Sequence, residues 1–146
     1  MDLFTIVTAR ADYELGALVI IDQTQLPERE VYLALKTPKE IWEAIYLLKV
    51  RGAPAIGVAA AYGISVCMQK VDEVGDFYRE FARVKNYLAS SRPTAVNLFT
   101  ALERMEVALL KCQGAGVEVL KQVLREEAEA IRKEDAAACR KIGEHG

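Results

Sequence analysis

Short apolar runs near the start of the chain indicate strands. Residues 3–8 (LFTIVT), 17–21 (ALVII) and 31–35 (VYLAL) are rich in apolar and β-branched side chains. The turn-like stretch 12–16 separates the first two runs, which favours an antiparallel hairpin, and the alternation in the third run is typical of another short strand. The pattern therefore predicts a small antiparallel three-stranded sheet within residues 1–36.

Beyond the sheet, apolar residues recur every three or four positions, the spacing of helices with one buried face. Thr37 and Glu40 flank Pro38 in a capping box, a strong helix start. The predicted helices run from 38 to an end at Gly52, and then over 54–70, 72–89, 93–112 and 117–142. The predicted fold class is α+β, with the sheet followed by a helical bundle of about five helices.

The apolar pattern also ranks the helices by burial. The second helix is apolar all round and rich in alanine and glycine, so it should be central and let another backbone pack close to it. In the fourth helix, the residues spaced for burial are Val96, Phe99, Leu102 and Met105. The last helix grows steadily more polar, which fits either a solvated surface helix or a connection to further residues.

Composition narrows the class of protein. The formal net charge of −2 argues against a nucleic-acid-binding surface. No apolar run reaches membrane-spanning length and the start does not resemble a signal peptide, so we expect a cytoplasmic protein without a membrane partner.

Cys67, Cys112 and Cys139 are widely spaced and fall in helical patterns, which predicts reduced, buried thiols. With His145 as the one histidine, we expect no metal site. Trp42 and Tyr62 are interpreted as core aromatics.

Candidate chemistry centres on residues 50–63, VRGAPAIGVAAAYG. Gly52 can adopt the left-handed conformation that ends a helix, and Pro54 fits the first turn of the next one. Free N–H groups and the positive end of the helix dipole then lie beside Arg51, an arrangement that suits a phosphate. Arg92, at the predicted start of the fourth helix, provides a second cation beside the free N–H groups of a helix start. Taken alone, each arginine is more simply interpreted as a surface residue beside an unoccupied helix start.

Three stretches together resemble the 5-methylthioribose-1-phosphate isomerase family. They are IDQTQLPEREVYLALKT at 21–37, RGAPAIGVAAAYG at 51–63 and SRPTAVNLF at 91–99. Their order and spacing agree with the family, so the resemblance extends over nearly the whole chain. The family is related to the regulatory alpha, beta and delta subunits of the exchange factor for eukaryotic initiation factor two.

The resemblance implies substrate-binding roles for Arg51, Gly52, Ala53 and Arg92. It implies an aldose–ketose isomerase of methionine salvage that acts on a cyclic sugar 1-phosphate, works as a homodimer and needs no metal or organic cofactor. The family's catalytic cysteine and aspartate belong to a Rossmann-like C-terminal domain, which we expect to be absent from this chain. We therefore expect no catalytic residue here and interpret the chain as an N-terminal fragment.

The predicted organisation is a sheet at 1–36, a helical bundle at 37–116 and a long polar helix at 117–146 that leads to the missing domain. For Thr94 and Asn97 the sequence predicts either supporting hydrogen bonds to the substrate or a helix-capping role. Other pentose phosphates, such as 5-deoxyribose 1-phosphate or ribose 1,5-bisphosphate, stay open as substrates. A second alternative for the function also stays open: a non-catalytic regulatory or scaffold subunit that binds a sugar phosphate or a nucleotide. A plain helical interaction module would leave both arginine–helix junctions unexplained.

Overall fold

The computed structural model describes residues 9–25, 28–47, 49 and 53–145, without the side chains of 23, 53, 54 and 136–145. Over these residues three strands precede five α-helices, which confirms the α+β class. The elements are β1 (Ala9–Asp12), β2 (Ala17–Ile21), β3 (Tyr32–Leu35), α1 (Pro38–Tyr46), α2 (Ala53–Met68), α3 (Val74–Ala89), α4 (Val96–Leu110) and α5 (Val117–His145), with a short 3₁₀ helix at Gln23–Gln25.

The sheet is antiparallel and three-stranded, as predicted, and its strand order is β1-β2-β3. Ala9 lies opposite Ile20, and Leu18 lies opposite Leu35. The central strand β2 is buried along its whole length, because it is paired on both edges and packed against the helices. The strand predicted at 3–8 lies outside the described residues. The strand that pairs with β2 is instead β1, whose charged residues obscure its strand pattern in the sequence.

The start of α1 agrees with the prediction, and its end does not. The Thr37 hydroxyl accepts a hydrogen bond from the Glu40 N–H (3.2 Å) and donates one to the Glu40 carboxylate (3.2 Å), which completes the capping box. The helix ends at Tyr46 rather than at Gly52. The Lys49 N–H bonds to the Ala44 carbonyl (2.9 Å), the six-to-one bond that closes a helix. Helical spacing of apolar residues continues past this point, so spacing alone misplaces the end.

Helix α2 is the centre of the molecule, as predicted. Every described side chain from Ile56 to Met68 is buried. The first half of α5 also packs into the core through Leu120, Leu124 and Ala128, each fully buried, so this half is not a solvated surface helix. None of the helices in the described residues is long and apolar enough to cross a membrane.

The buried face of α4 differs from the predicted one. Leu102 and Met105 are fully buried, as expected, but Val96 is 73% exposed and Phe99 is 39% exposed. Because the helix begins at Val96 rather than at residue 93, its first turn lies at the rim of the core. The face that packs inward also carries Leu98.

A hydrogen bond between the buried Tyr62 and a partly exposed carboxylate joins α2 to α5. The Tyr62 hydroxyl donates to the Glu129 carboxylate, which also accepts from the Arg132 Nε (3.0 Å). Burial and the bond to Glu129 raise the pKa of Tyr62. Burial alone would raise the pKa of Glu129, but the hydrogen bonds from Tyr62 and Arg132 outweigh it and lower that pKa. Tyr62 is therefore a core aromatic, as predicted, with a polar partner that its own helix does not supply.

The two described cysteine side chains are free. Cys67 is buried, and desolvation raises the pKa of its thiol to about 11 despite the nearby cations Lys70 and Arg83. A thiol with that pKa is protonated and unreactive at neutral pH, in agreement with the sequence prediction. Cys112 is only partly buried. The side chains of Cys139 and His145 lie outside the described residues.

Candidate phosphate-binding site at the starts of two helices

Helices α2 and α4 meet closely near their N-terminal ends. A Cβ built on Gly57 would lie 3.0 Å from the Asn97 carbonyl oxygen and 3.5 Å from the Ala101 Cβ. Asn97 belongs to the first turn of α4, and Gly57 lies four residues after Ala53, where α2 begins. Because an α-helix rises about 1.5 Å per residue, the start of α2 is about 6 Å along its axis from this contact. Both helix N-termini therefore lie at the same end of the bundle.

Arg92 lies in the turn that joins α3 to α4. Its carbonyl accepts a hydrogen bond from the Ala95 N–H (3.0 Å), and its side chain is half-buried. The preceding residue, Ser91, is buried, and its hydroxyl donates to the Leu88 carbonyl (2.6 Å). These two bonds fix the chain on both sides of Arg92, so the arginine extends from a defined turn beside the start of α4.

The helix start beside Arg92 differs from the prediction. Pro93 occupies the second position of the turn closed by the Arg92–Ala95 bond, where proline is favoured. The helix begins only after that turn, at Val96, so Arg92 precedes α4 by a turn rather than flanking its first N–H groups. Within the described residues no side chain caps α4, and the capping role considered for Thr94 and Asn97 is therefore wrong. The first N–H groups of a helix lack intrahelical partners, which leaves them available to an anion.

The other predicted site residues precede or begin α2. Arg51 and Gly52 lie outside the described residues, and Ala53 is the first residue of α2. The structure thus brings together the backbone start of α2 and the turn that carries Arg92. Convergence of Arg51 with Arg92 stays a prediction.

The sequences around these two helix starts contain cationic and neutral groups only. Neither 49–57 (KVRGAPAIG) nor 90–97 (SSRPTAVN) contains a carboxylate, thiol or imidazole side chain. In the described part of the chain, no cluster of three or more histidine, cysteine, aspartate or glutamate side chains could hold a metal ion. The arrangement can hold an anion, but these stretches supply no acid–base pair suited to neutral pH.

Sequence reasoning missed the place of Trp42. Instead of lying in the core, its indole is half-buried between α1 and α3, and its Nε1 donates to the Ser90 hydroxyl (2.9 Å). The indole stacks on Tyr46 (centroids 4.9 Å apart, 20° between planes) and on Tyr87 (6.1 Å, 25°). The four-residue spacing of Trp42 and Tyr46 could have indicated their contact, whereas the contacts with α3 have no local sequence signal.

Comparisons with a family model and with known proteins both identify relatives of this chain. Residues 49–146 match the model of the Initiation factor 2 subunit family. The chain is 56% identical over 138 residues to the methylthioribose-1-phosphate isomerase of Parabacteroides distasonis, covering 93% of this chain and 41% of that protein. It is 48% identical over 144 residues to the 5-deoxyribose 1-phosphate isomerase of Petrotoga mobilis, covering 97% and 42%. The chain thus spans about two fifths of the length of the curated relatives it matches.

Solved structures of two kinds share the fold. The delta subunit of translation initiation factor eIF-2B from A. fulgidus superposes with a TM-score of 0.80 at 37% identity, covering 89% of this chain and 37% of that one. The 5-methylthioribose 1-phosphate isomerase from Pyrococcus horikoshii OT3 superposes with a TM-score of 0.81 at 31% identity, covering 90% and 37%. The resemblance stated from the sequence motifs is therefore confirmed.

Proposed function

Because the chain belongs to the Initiation factor 2 subunit family, we propose that it forms the phosphate-binding part of a sugar-phosphate isomerase. The proposed reaction converts 5-methylthioribose 1-phosphate to 5-methylthioribulose 1-phosphate in methionine salvage. The observation that carries the proposal is the close approach at Gly57, which brings the starts of α2 and α4 to one end of the bundle. The isomerases among the relatives support the class of substrate.

The substrate phosphate would bind between the two helix starts. Arg92 and Arg51 would each offer a planar guanidinium, which can donate two parallel hydrogen bonds to phosphate oxygens. Backbone N–H groups at Gly52 and Ala53, at the positive end of the α2 dipole, would complete the site. This geometry holds the phosphate at one end of the sugar and leaves the reacting carbons free.

Isomerisation itself requires groups that the two stretches do not contain. Moving hydrogen between adjacent carbons needs an acid and a base within hydrogen-bond reach of the substrate. We place these in the catalytic cysteine and aspartate of the family's Rossmann-like domain. On this proposal the chain alone binds the sugar phosphate without turning it over, and the whole enzyme is a cytoplasmic homodimer.

Replacing Arg92 tests the proposal. We expect Arg92→Ala to cost about 2–4 kcal/mol of binding free energy for 5-methylthioribose 1-phosphate, because a charge-assisted pair is lost. Isothermal titration calorimetry measures the change. Arg79→Ala is the matched control, since Arg79 is an exposed arginine on α3 paired with Asp76 (2.7 Å), and it should bind as the wild type does. Wild-type affinity in Arg92→Ala would contradict the proposal.

Two other functions have specific support. The Petrotoga mobilis relative favours 5-deoxyribose 1-phosphate as substrate, and titration with that sugar compares the two directly. The eIF-2B delta structure favours a regulatory subunit that binds a sugar phosphate or nucleotide without turnover. A chain that binds a nucleoside monophosphate more tightly than either sugar phosphate would support the regulatory alternative.

A further inference from the structure

Three aromatic residues form a stacked surface between α1 and α3, which we call the aromatic shelf: Trp42, Tyr46 and Tyr87. The indole of Trp42 is nearly parallel to both tyrosine rings. Tyr46, on the outer side of the stack, keeps 56% of its surface exposed. Trp42 and Tyr87 connect α1 to α3, and Tyr46 leaves an aromatic ring open to contact on the outer side of the stack.

The aromatic shelf is tied to the turn that carries Arg92. The Trp42 Nε1 donates to the Ser90 hydroxyl (2.9 Å), and that hydroxyl donates to the Tyr87 carbonyl (2.5 Å). Ser90 precedes Arg92 by two residues, and two residues of extended chain span at most about 7 Å. Tyr46 is the last residue of α1.

We propose that the aromatic shelf receives the substituent on carbon 5 of the sugar phosphate and makes the site prefer a methylthio group. This inference rests on the proposed function, because it takes Arg92 as a ligand of the phosphate on carbon 1. Carbon 5 lies at the other end of the sugar, so its receptor must be close to Arg92 but separate from it. The Trp42–Ser90 hydrogen bond holds the shelf next to the turn of Arg92, and none of its three rings belongs to that turn.

The chemistry of the two sugars explains the preference. The sugar of methylthioribose 1-phosphate ends in a thioether, whereas 5-deoxyribose 1-phosphate ends in a methyl group. A thioether sulfur is polarizable and makes favourable contacts with aromatic rings. The larger group also removes more apolar surface from water. An exposed ring beside a phosphate site would therefore bind the two substrates with different affinities, because they differ only in the group on carbon 5.

The experiment uses the one tryptophan of the chain as its reporter. Trp42 fluorescence is followed while the chain is titrated with methylthioribose 1-phosphate, 5-deoxyribose 1-phosphate or inorganic phosphate. We expect the methylthio sugar to bind about tenfold more tightly than the deoxy sugar, the size of effect that one small apolar group gives. It should also change the emission at saturation, which inorganic phosphate should leave unchanged.

Variants at Tyr46 separate the shelf from the rest of the site. Tyr46→Ala should reduce the preference to about threefold or less, because the ring is lost, whereas Tyr46→Phe should keep it. Tyr32→Ala is the matched control, since Tyr32 is a similarly exposed tyrosine (60%) on β3, and it should leave the preference unchanged. Retention of Trp42 in all three variants preserves the fluorescence signal.

Two results would overturn the inference while the proposed function stands. In one, Tyr46→Ala leaves the affinities for both sugars at their wild-type values. In the other, it weakens binding of both sugars by the same factor. If neither sugar phosphate binds the wild-type chain, the proposed function fails and this inference falls with it.

Discussion

Tyr62 shows what a hydroxyl adds to a helix that is almost entirely apolar. Its ring is 3% exposed, and the pattern of α2 predicts that burial. The partner of the hydroxyl, Glu129, is 67 residues away on α5, and helical spacing does not encode which face of α5 packs on α2. The polar contact could therefore be found only in the folded structure.

Removing the Tyr62 hydroxyl should destabilise the fold. We expect Tyr62→Phe to lower the free energy of unfolding by about 1–2 kcal/mol at neutral pH, because a hydrogen bond to a carboxylate is lost from a buried position. Urea denaturation measures this change. Tyr32→Phe, at an exposed position on β3, should stay within about 0.5 kcal/mol of the wild type.

The effect of Tyr62→Phe should depend on pH. The folded pKa of Glu129 is lowered below its ordinary value of 4.5. The stability that its ionised form contributes is therefore present above pH 4.5 and is lost as the pH falls through the folded pKa. The difference between wild type and Tyr62→Phe should shrink over that acid range, and a difference that stays constant there would contradict the role assigned to Glu129.

At the scale of elements, close packing of α2 and α4 determines where the candidate site can form. The small residues of α2 predict this packing, because they leave room for another backbone. The partner contact is at Gly57, against the first turn of α4. The antiparallel three-stranded sheet and the capping box of α1 were also predictable, but the strand that pairs with β2 was not, because charged residues obscure the pattern of β1.

Gly57 offers a direct test of that packing. Alanine favours a helix over glycine by about 1 kcal/mol, but a Cβ here would press on the Asn97 backbone carbonyl at 3.0 Å. We expect Gly57→Ala to destabilise the protein by about 1–3 kcal/mol and to weaken sugar-phosphate binding by displacing the start of α4. Denaturation and calorimetry measure the two effects.

Gly75 is the matched control for that substitution. It lies in α3, and a Cβ there would meet no other atom within 4 Å. Gly75→Ala should therefore stabilise the protein by up to about 1 kcal/mol. If the two substitutions stabilise the protein equally, the close approach of α2 and α4 does not constrain the fold.

The ends of helices were less predictable than their existence. Helix α1 ends at Tyr46 because Lys49 closes it by a backbone bond, and α4 begins at Val96 because Pro93 sits in a preceding turn. Apolar spacing carries no information on either bond. The same shift of the α4 start leaves Phe99 partly exposed.

For the whole molecule, the topology brings together residues that are distant in the chain. Helix α2 is central, and α4 packs on it so that the chain near Ala53 and the turn of Arg92 lie at one end of the bundle. Motifs in the sequence identified both stretches, but spacing could not show that they share an end. The contact at Gly57 supports that step.

The central claim is that Arg51 and Arg92 bind the same phosphate, and a double-mutant cycle tests it most directly. Calorimetry would measure binding of methylthioribose 1-phosphate to Arg51→Ala, Arg92→Ala and the double variant. Each single substitution should cost about 2–4 kcal/mol. Because both groups would share one ligand, the double variant should lose less than the sum of the two, by at least about 0.5 kcal/mol. Strictly additive losses, or wild-type affinity in either single variant, would contradict the claim.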